Sequence, residues 1–589
     1  MHAFTAFFRS GLRRPVLLLT FAGGTLGLAA TNGPDAADGV VQLPDFTVSG
    51  KQDLPPPESW QYARLGDGTE VLSNASERAS VRMLRDFQMF QQALGVAWPA
   101  LASNNQPAAR MLILCGRRDK FEDFAINRSD RSDVASTSMF VRNREQTAIV
   151  VDLQATSLNL SDLNDDSTSN TTSFEVDPYK QLYREYVRYL LSQGARRPPP
   201  WLQEGIAQIV MAMEFTPDWV KLGELNVSGP STDPAATTEE SEEGGEEAAP
   251  ETSIGDRPFN VVLQRRALIP MDKFFAVTAD APEATNPLGN NRWAKQAYAF
   301  VHLCLYGENE RYKPAFDTFI KRLETEPLSE PLFKECFKMS YKDMLMALRG
   351  YIGYTFHKSV THKRKDGSPK LGGEPVVMRE ATQAEIGRIK GDAQRLAGRT
   401  NDALISYHDA YARGERDTML LAAYGAASSE TGQNDRALPL LEAAAKAPGT
   451  RRPSVYVELG RQRLLAAKTK PAGANGRLDD AQVAAVMEPL LKARLIRPSL
   501  PITYEVIAET WLQAATPPKL ENFGLLGEGL RLFPRDLVLI HSMAELYQQI
   551  GQGTAATKLA QAGLHFSTDA ADRARFEKLL ASLPPPPAK

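Results

Sequence analysis

Between Val81 and Leu94 the apolar side chains fall at Val81, Leu84, Phe87, Phe90 and Leu94, with Met83 beside them. That spacing of three and four gathers one stripe on one side of a helix. The stretch Ser73-Asn74-Ala75-Ser76 ahead of it supplies a helix-start signal. Shorter apolar runs surround this helix. Strands are expected over 60–63 and 70–72, a buried strand over 110–115, and a hairpin of 138–141 and 147–153. The hairpin has β-branched cores (Val141, Ile149, Val150, Val151) on either side of the polar stretch Arg142-Asn143-Arg144-Glu145-Gln146. A short helix is expected near 120–124. From Pro178 the pattern is helical: 178–193, then Trp201 to Met213, and again over 270–277, 293–305, 312–323 and 341–348. Strands with one long helix, followed by helices only, predict an α+β domain.

Residues 357–379 gather Lys, Arg, Gly and Pro and are expected to form a linker. Beyond about residue 380 the pattern becomes helical pairs with a repeat. Gly391, Ala403, Tyr407 and Ala410 recur as Gly425, Ala437, Leu441 and Ala444, and Ala403 and Ala437 are 34 residues apart. A later unit repeats the spacing as Ala544, Tyr547, Ala556 and Ala560, and two looser units carry Gly460 with Leu490 and Trp511 with Gly529. Small residues recur where paired helices approach too closely for large side chains. The segment 380–589 resembles a tetratricopeptide array of four to five units with a terminal capping helix at 569–583. The resemblance implies an all-α solenoid whose concave surface holds a protein or peptide partner.

Composition adds an address and removes some functions. The 589 residues exceed what one core serves, and the formal charge is only −3. Ten acidic residues and no Lys or Arg lie between Leu222 and Asp256, so the rest of the chain carries +7. Those residues cannot bury apolar area, and 223–257 is expected as a disordered acidic insertion. Nothing concentrates the positive charge as nucleic-acid binding requires. Arg9, Arg13 and Arg14 precede the apolar run Val16 to Ala30, which ends in small residues. This is the layout of a secretory signal peptide over residues 1–30, followed by an extended lead-in over 31–58. The run is broken by glycines and too short for a stable membrane span once the signal is cleaved. The protein is therefore expected to be exported, periplasmic or secreted. Of its three cysteines, Cys115 reads as buried, while Cys304 and Cys336 leave pairing open.

The chemistry-bearing residues gather after Pro178. Arg184 and Arg188 lie four apart on one flank of the first helix, with Glu185 between them, and Trp201-Leu202-Gln203-Glu204-Gly205-Ile206-Ala207 opens the second. These two segments resemble the peptidase MA-like, gluzincin-type zinc metallopeptidases, which carry H-E-x-x-H on one helix and W-L-x-E-G-x-A on the next. The helix at Gln296–His302 resembles a later helix of that family, so that residues 59–356 form its α+β domain. In the family the two histidines and the second glutamate bind zinc, and the glutamate beside the first histidine activates the metal-bound water.

Here both histidine positions are arginine. A guanidinium remains cationic and has no lone pair to offer a metal. No histidine lies between His2 and His302 to replace it. No cofactor is therefore expected, the zinc of the family being lost, and Arg184 and Arg188 are expected to pair with Glu185 and Glu204. His302 reads as a core histidine. The expected protein is an exported, non-catalytic scaffold with no active catalytic residue. The alternative is a secreted hydrolase with an unorthodox site that uses Glu185 and Glu204 as acid and base.

Overall fold

The computed structural model describes residues 54–583 apart from 104–108, 127–135, 155–156, 161–171, 194–197, 226–258, 265, 287, 324–325, 355, 365–369, 448–451 and 568. The signal peptide, most of the lead-in and the acidic insertion beyond Leu225 lie outside these residues. The chain divides into two units. Of the described residues, the first holds those of 59–141 and 147–381, and the second those of 54–58, 142–146 and 382–583.

The first unit is built on β1 (Gln61–Arg64), β2 (Glu70–Ser73), β3 (Ala109–Cys115), β4 (Ser138–Arg142) and β5 (Gln146–Asp152), as expected. Two short strands follow, β6 (Ser157–Leu160) and β7 (Thr172–Glu175), which pair with each other. The main sheet also takes in β11 (Arg379–Glu380) and has the order β11-β1-β2-β3-β5-β4. β2 and β3 run parallel, Val71 opposite Leu112, and β1 and β2 antiparallel, Tyr62 opposite Leu72. β3 is buried at all but its first residue and β5 throughout, which is why Met111–Cys115 and Ala148–Val151 read as continuous apolar runs. Helix α1 (Glu77–Ala97) starts at Ser76, whose side chain accepts from the Ala79 N–H. Its buried Phe87 and Phe90 meet helix α2 (Pro178–Ser192): the Phe90 and Tyr183 rings stack 3.9 Å apart, and Phe87 meets Tyr186 edge-on at 5.1 Å. The sheet's companion helix thereby fixes the helix that carries Arg184 and Glu185.

The first unit departs from the expected order in one respect. Strands do not cease at Pro178: β8 (Glu214–Thr216) and β9 (Trp219–Leu222) form a sheet with β10 (Val360–Lys363), which pairs Val360 with Leu222. Residues 357–379, expected as a linker, thus contribute β10 and the start of β11. These strands are two to four residues long, and in β10 exposed and half-buried positions alternate, which is too short a run for a periodicity to register. Two further helices carry weight below: α3 (Pro200–Met211) and α4 (Arg292–Tyr306). Cys115, Cys304 and Cys336 are all free thiols.

Apart from the short segment Arg142–Gln146 and the residues before Ser59, the second unit is helical. Its pairs are α5 (Gln383–Leu396) with α6 (Thr400–Ala412), α7 (Thr418–Glu430) with α8 (Asn434–Lys446), α9 (Pro453–Thr469) with α10 (Asp480–Leu495), α11 (Pro501–Gln513) with α12 (Phe523–Leu532), and α13 (Leu537–Gln549) with α14 (Gly553–Phe566). A last helix, α15 (Ala570–Ser582), closes the series. The repeated glycines explain themselves at the pair contacts. A Cβ at Gly391 would enter the Tyr407 ring, one at Gly425 would lie 2.9 Å from Leu441, and one at Gly460 2.6 Å from Leu490. The fourth pair inverts the arrangement, with Gly529 on the second helix against Tyr504 on the first, which is why the repeat is looser there. Among the described residues no helix is long and apolar enough to cross a membrane.

Candidate functional site

Helix α2 begins with Pro178 after Asp177, whose carboxylate accepts from the Tyr179 N–H at 2.9 Å. With its apolar face against α1, the next turn carries Arg184 and Glu185 into the interior, at 0% and 1% exposure. Arg188 is half-buried. Helix α3 also starts with a proline, and its Trp201 is fully buried among Phe274, Phe275, Phe300 and Phe319. One turn on, Glu204 faces α2 and Gly205 faces α4. A Cβ at Gly205 would lie 2.6 Å from the Ala297 carbonyl oxygen and 2.8 Å from the Val301 Cβ. The tryptophan and the glycine thus set the depth at which Glu204 sits.

All four residues singled out in the sequence come together. Arg184 Nη2 donates to Glu204 Oε2 at 2.8 Å and Nε to Glu204 Oε1 at 3.3 Å, a two-pronged pair. Its Nη1 donates to Glu185 Oε1 at 3.3 Å, and Nη2 also to the Asn286 carbonyl at 3.3 Å. Arg188 Nη1 reaches Glu185 Oε2 at 3.4 Å. Ser138 Oγ donates to Glu185 Oε1 at 3.3 Å.

Three further residues complete the cluster. Gln208 Nε2 donates to Glu204 Oε1 at 2.9 Å and to the Gly289 carbonyl at 2.7 Å, while its Oε1 accepts from Lys295 Nζ at 3.1 Å. Lys295 is 1% exposed. Gly289 has φ +61°, and a Cβ there would strike Glu204 Oε1 and Gln208 Nε2, so only glycine lets the turn close over the cluster. Two of the three left a trace in the sequence. Gln208 follows Glu204 by one helical turn, and Lys295 is the one Lys, Arg, Asp or Glu of helix α4 after its first residue, Arg292. The turn at Gly289 left none.

The electrostatics follow from this packing. Burial disfavours the Arg184 charge, but Glu204 and then Glu185 outweigh it and hold the guanidinium above its ordinary range. Burial likewise pushes Glu204 up, yet Arg184, then Arg188 and the Gln208 amide, bring it below the usual carboxylate range. A carboxyl held ionised and capped by a guanidinium has no proton to give at neutral pH. Nor do the residues fit a zinc ion: the second glutamate already accepts both prongs of Arg184, neither arginine can ligate, and Lys295 adds a second buried cation beside them. The arrangement can hold an internal cation.

His302 is also buried. Its Nε2 lies 2.7 Å from the Gly223 carbonyl and its Nδ1 2.7 Å from the Tyr351 hydroxyl. Because a carbonyl only accepts, Nε2 carries the proton and Nδ1 accepts from Tyr351. Phe259, at the far side of the acidic insertion, packs edge-on against the same imidazole at 5.5 Å, so both flanks of the insertion are tied to one residue. Burial lowers His302 to about 3, the Gly223 carbonyl offsetting part of this. Against an unfolded value near 6.5 the unfolded chain binds more protons, and stability is lost as the pH falls from about 6.5 toward 3. Urea unfolding of the first unit at pH 7.5 and pH 5 should show a loss of about 2 kcal/mol at the lower pH. His302→Gln, which retains a donor toward Gly223, should remove most of that difference. An unchanged pH dependence in the variant would assign the effect elsewhere.

No protein-family model matches the chain, and no curated protein matches it. Among solved structures it is similar to a thermophilic TPR protein of Thermus thermophilus, at 17% identity over 34% of this chain and 99% of that one, with a TM-score of 0.26. It is also similar to MamA of MSR-1, at 20% identity over 34% of this chain and 97% of that one, with a TM-score of 0.23.

Proposed function

We propose that the chain is an exported, non-catalytic scaffold: a peptidase-like domain whose catalytic cluster has become an internal ion-pair network, joined to a tetratricopeptide-type array that holds a protein or peptide partner. The observation that carries this reading is the fully buried Arg184 guanidinium, which engages Glu204 with two prongs and Glu185 with a third. In a zinc peptidase those two carboxylates would face, respectively, the metal and its water. With both oxygens of Glu185 also taken up by cations, neither carboxylate is left free to activate a nucleophile. The charged start and apolar run at the N-terminus support export, and the glycine-spaced helix pairs support the array's role as a binding surface.

The test uses the processed full-length protein recovered from the exported fraction. Incubated with casein and with a mixed peptide library, with and without added zinc, it should release no fragments. Cleavage that disappears with Glu185→Gln would replace the scaffold reading by the hydrolase one.

A further inference from the structure

Polar turns normally lie in solvent. In the segment Arg142–Gln146 of the second unit Asn143 and Arg144 are exposed, but Glu145 is 5% exposed and Gln146 0%. Asn143 shapes it, its Oδ1 accepting from the N–H groups of Glu145 at 2.8 Å and Gln146 at 2.7 Å. The three side chains that follow are each received by a different set of array residues. The Arg144 guanidinium lies over the Phe533 ring, 5.0 Å from its centre. The Glu145 carboxyl lies beside Arg452, Ser454 and Arg395, and its Oε1 is buried without a hydrogen-bond partner. The Gln146 amide is read at both ends: Nε2 donates to Asp392 Oδ2 at 2.8 Å, and Oε1 accepts from Arg395 Nη2 at 3.1 Å.

The receiving residues are themselves fixed. Asp392 is fully buried, accepts from the Tyr407 hydroxyl at 2.9 Å and is paired with Arg452, whose Nη1 lies 3.2 Å from Oδ1. Arg395 is anchored through Nη1 to Glu430 at 2.8 Å. An acceptor beside a donor, both aimed at one primary amide, next to arginines facing a carboxyl and a ring facing a guanidinium, matches the chemistry of a cation-acid-amide series.

We propose that the face formed by Asp392, Arg395, Arg452 and Phe533 is a specific peptide site whose occupant is the chain's own Arg144-Glu145-Gln146 turn, so that any partner presenting the same cation-acid-amide series must displace that turn. This deepens the binding role proposed above for the array and rests on it. The occupant is not an ideal fit. Burial raises the Glu145 carboxyl despite Arg452, Ser454 and Arg395, and the oxygen it leaves without a hydrogen-bond partner is a cost that the docked turn carries.

The experiment compares full-length wild type with a chain in which the turn is emptied (Arg144→Gly, Glu145→Ser, Gln146→Gly). The probe is a fluorescein-labelled, disulfide-closed peptide carrying residues 142–147, followed by anisotropy. It should bind the emptied chain about tenfold or more tightly than wild type, and lose that gain when Phe533→Ala is added. Equal binding to both chains, or to neither, overturns the proposal, whereas the array's holding of a partner on other surfaces would survive either result. Should the emptied chain fail to fold, wild type decides the matter alone. Amide exchange at Glu145 and Gln146 should be slow and should accelerate roughly threefold with Arg144→Ala. Fast exchange unaffected by Arg144→Ala overturns it equally.

Discussion

Arg184→Met destabilises the first unit by about 3–5 kcal/mol, the range for removing one partner of a buried ion pair. The size of the loss comes less from the bonds themselves than from what remains. Glu204 and Glu185 stay at 3% and 1% exposure, now without the guanidinium that offset their desolvation. Urea titration monitored by tryptophan fluorescence measures it. Arg188→Ala, removing a half-buried and longer contact, should cost less than about 1 kcal/mol. The Arg184 effect also has a pH signature. Because Glu204 is held below its unfolded value, the stabilisation is present above about pH 4.5 and disappears as the pH falls through the folded value. The gap between wild type and variant should therefore narrow in acid. A loss below about 1 kcal/mol at pH 7 would mean that the network contributes little to the fold.

Gly205→Ala should be destabilising by about 2–3 kcal/mol, opposite in sign to what helix propensity alone dictates. An alanine in a helix interior gains about 1 kcal/mol over glycine. At Gly205, however, the new methyl meets the Ala297 carbonyl oxygen at 2.6 Å and Val301 on α4, and forcing an extra carbon into a packed contact costs about 1–3 kcal/mol or more. Gly95, in α1, has nothing within 4 Å of its Cβ position, so Gly95→Ala should stabilise. Thermal unfolding of the two variants beside wild type decides this. Shifts of the same sign would refute the close approach of α3 to α4.

The helices of the site were legible because each carries a proline at its start and a long apolar face, and because Arg184, Glu185, Arg188 and Glu204 sit at fixed offsets on them. Helix geometry converts such offsets into neighbours. What brings the two helices to the right depth was not legible. The Gly205 contact depends on Val301, nearly a hundred positions later, and the closing turn depends on the φ of Gly289, which sequence spacing does not report. β8, β9 and β10 escaped for a related reason, since strands of three and four residues become visible only when a distant partner pairs with them. In the array, Gly391 and Gly425 announced the repeat because each faces a residue at a constant offset. The fourth pair hid itself by exchanging the roles of Gly529 and Tyr504. The turn at 142–146 reads in sequence as an ordinary polar connection, and only the burial of Glu145 and Gln146 sets it apart.

On the proposed reading, the Arg184 guanidinium stands where a zinc peptidase would hold its metal. Elemental analysis of the full-length protein, purified without chelator and equilibrated with excess zinc before gel filtration, tests it most directly. The expected result is no zinc retained in proportion to protein. One zinc per chain, lost on Glu204→Gln, would contradict it.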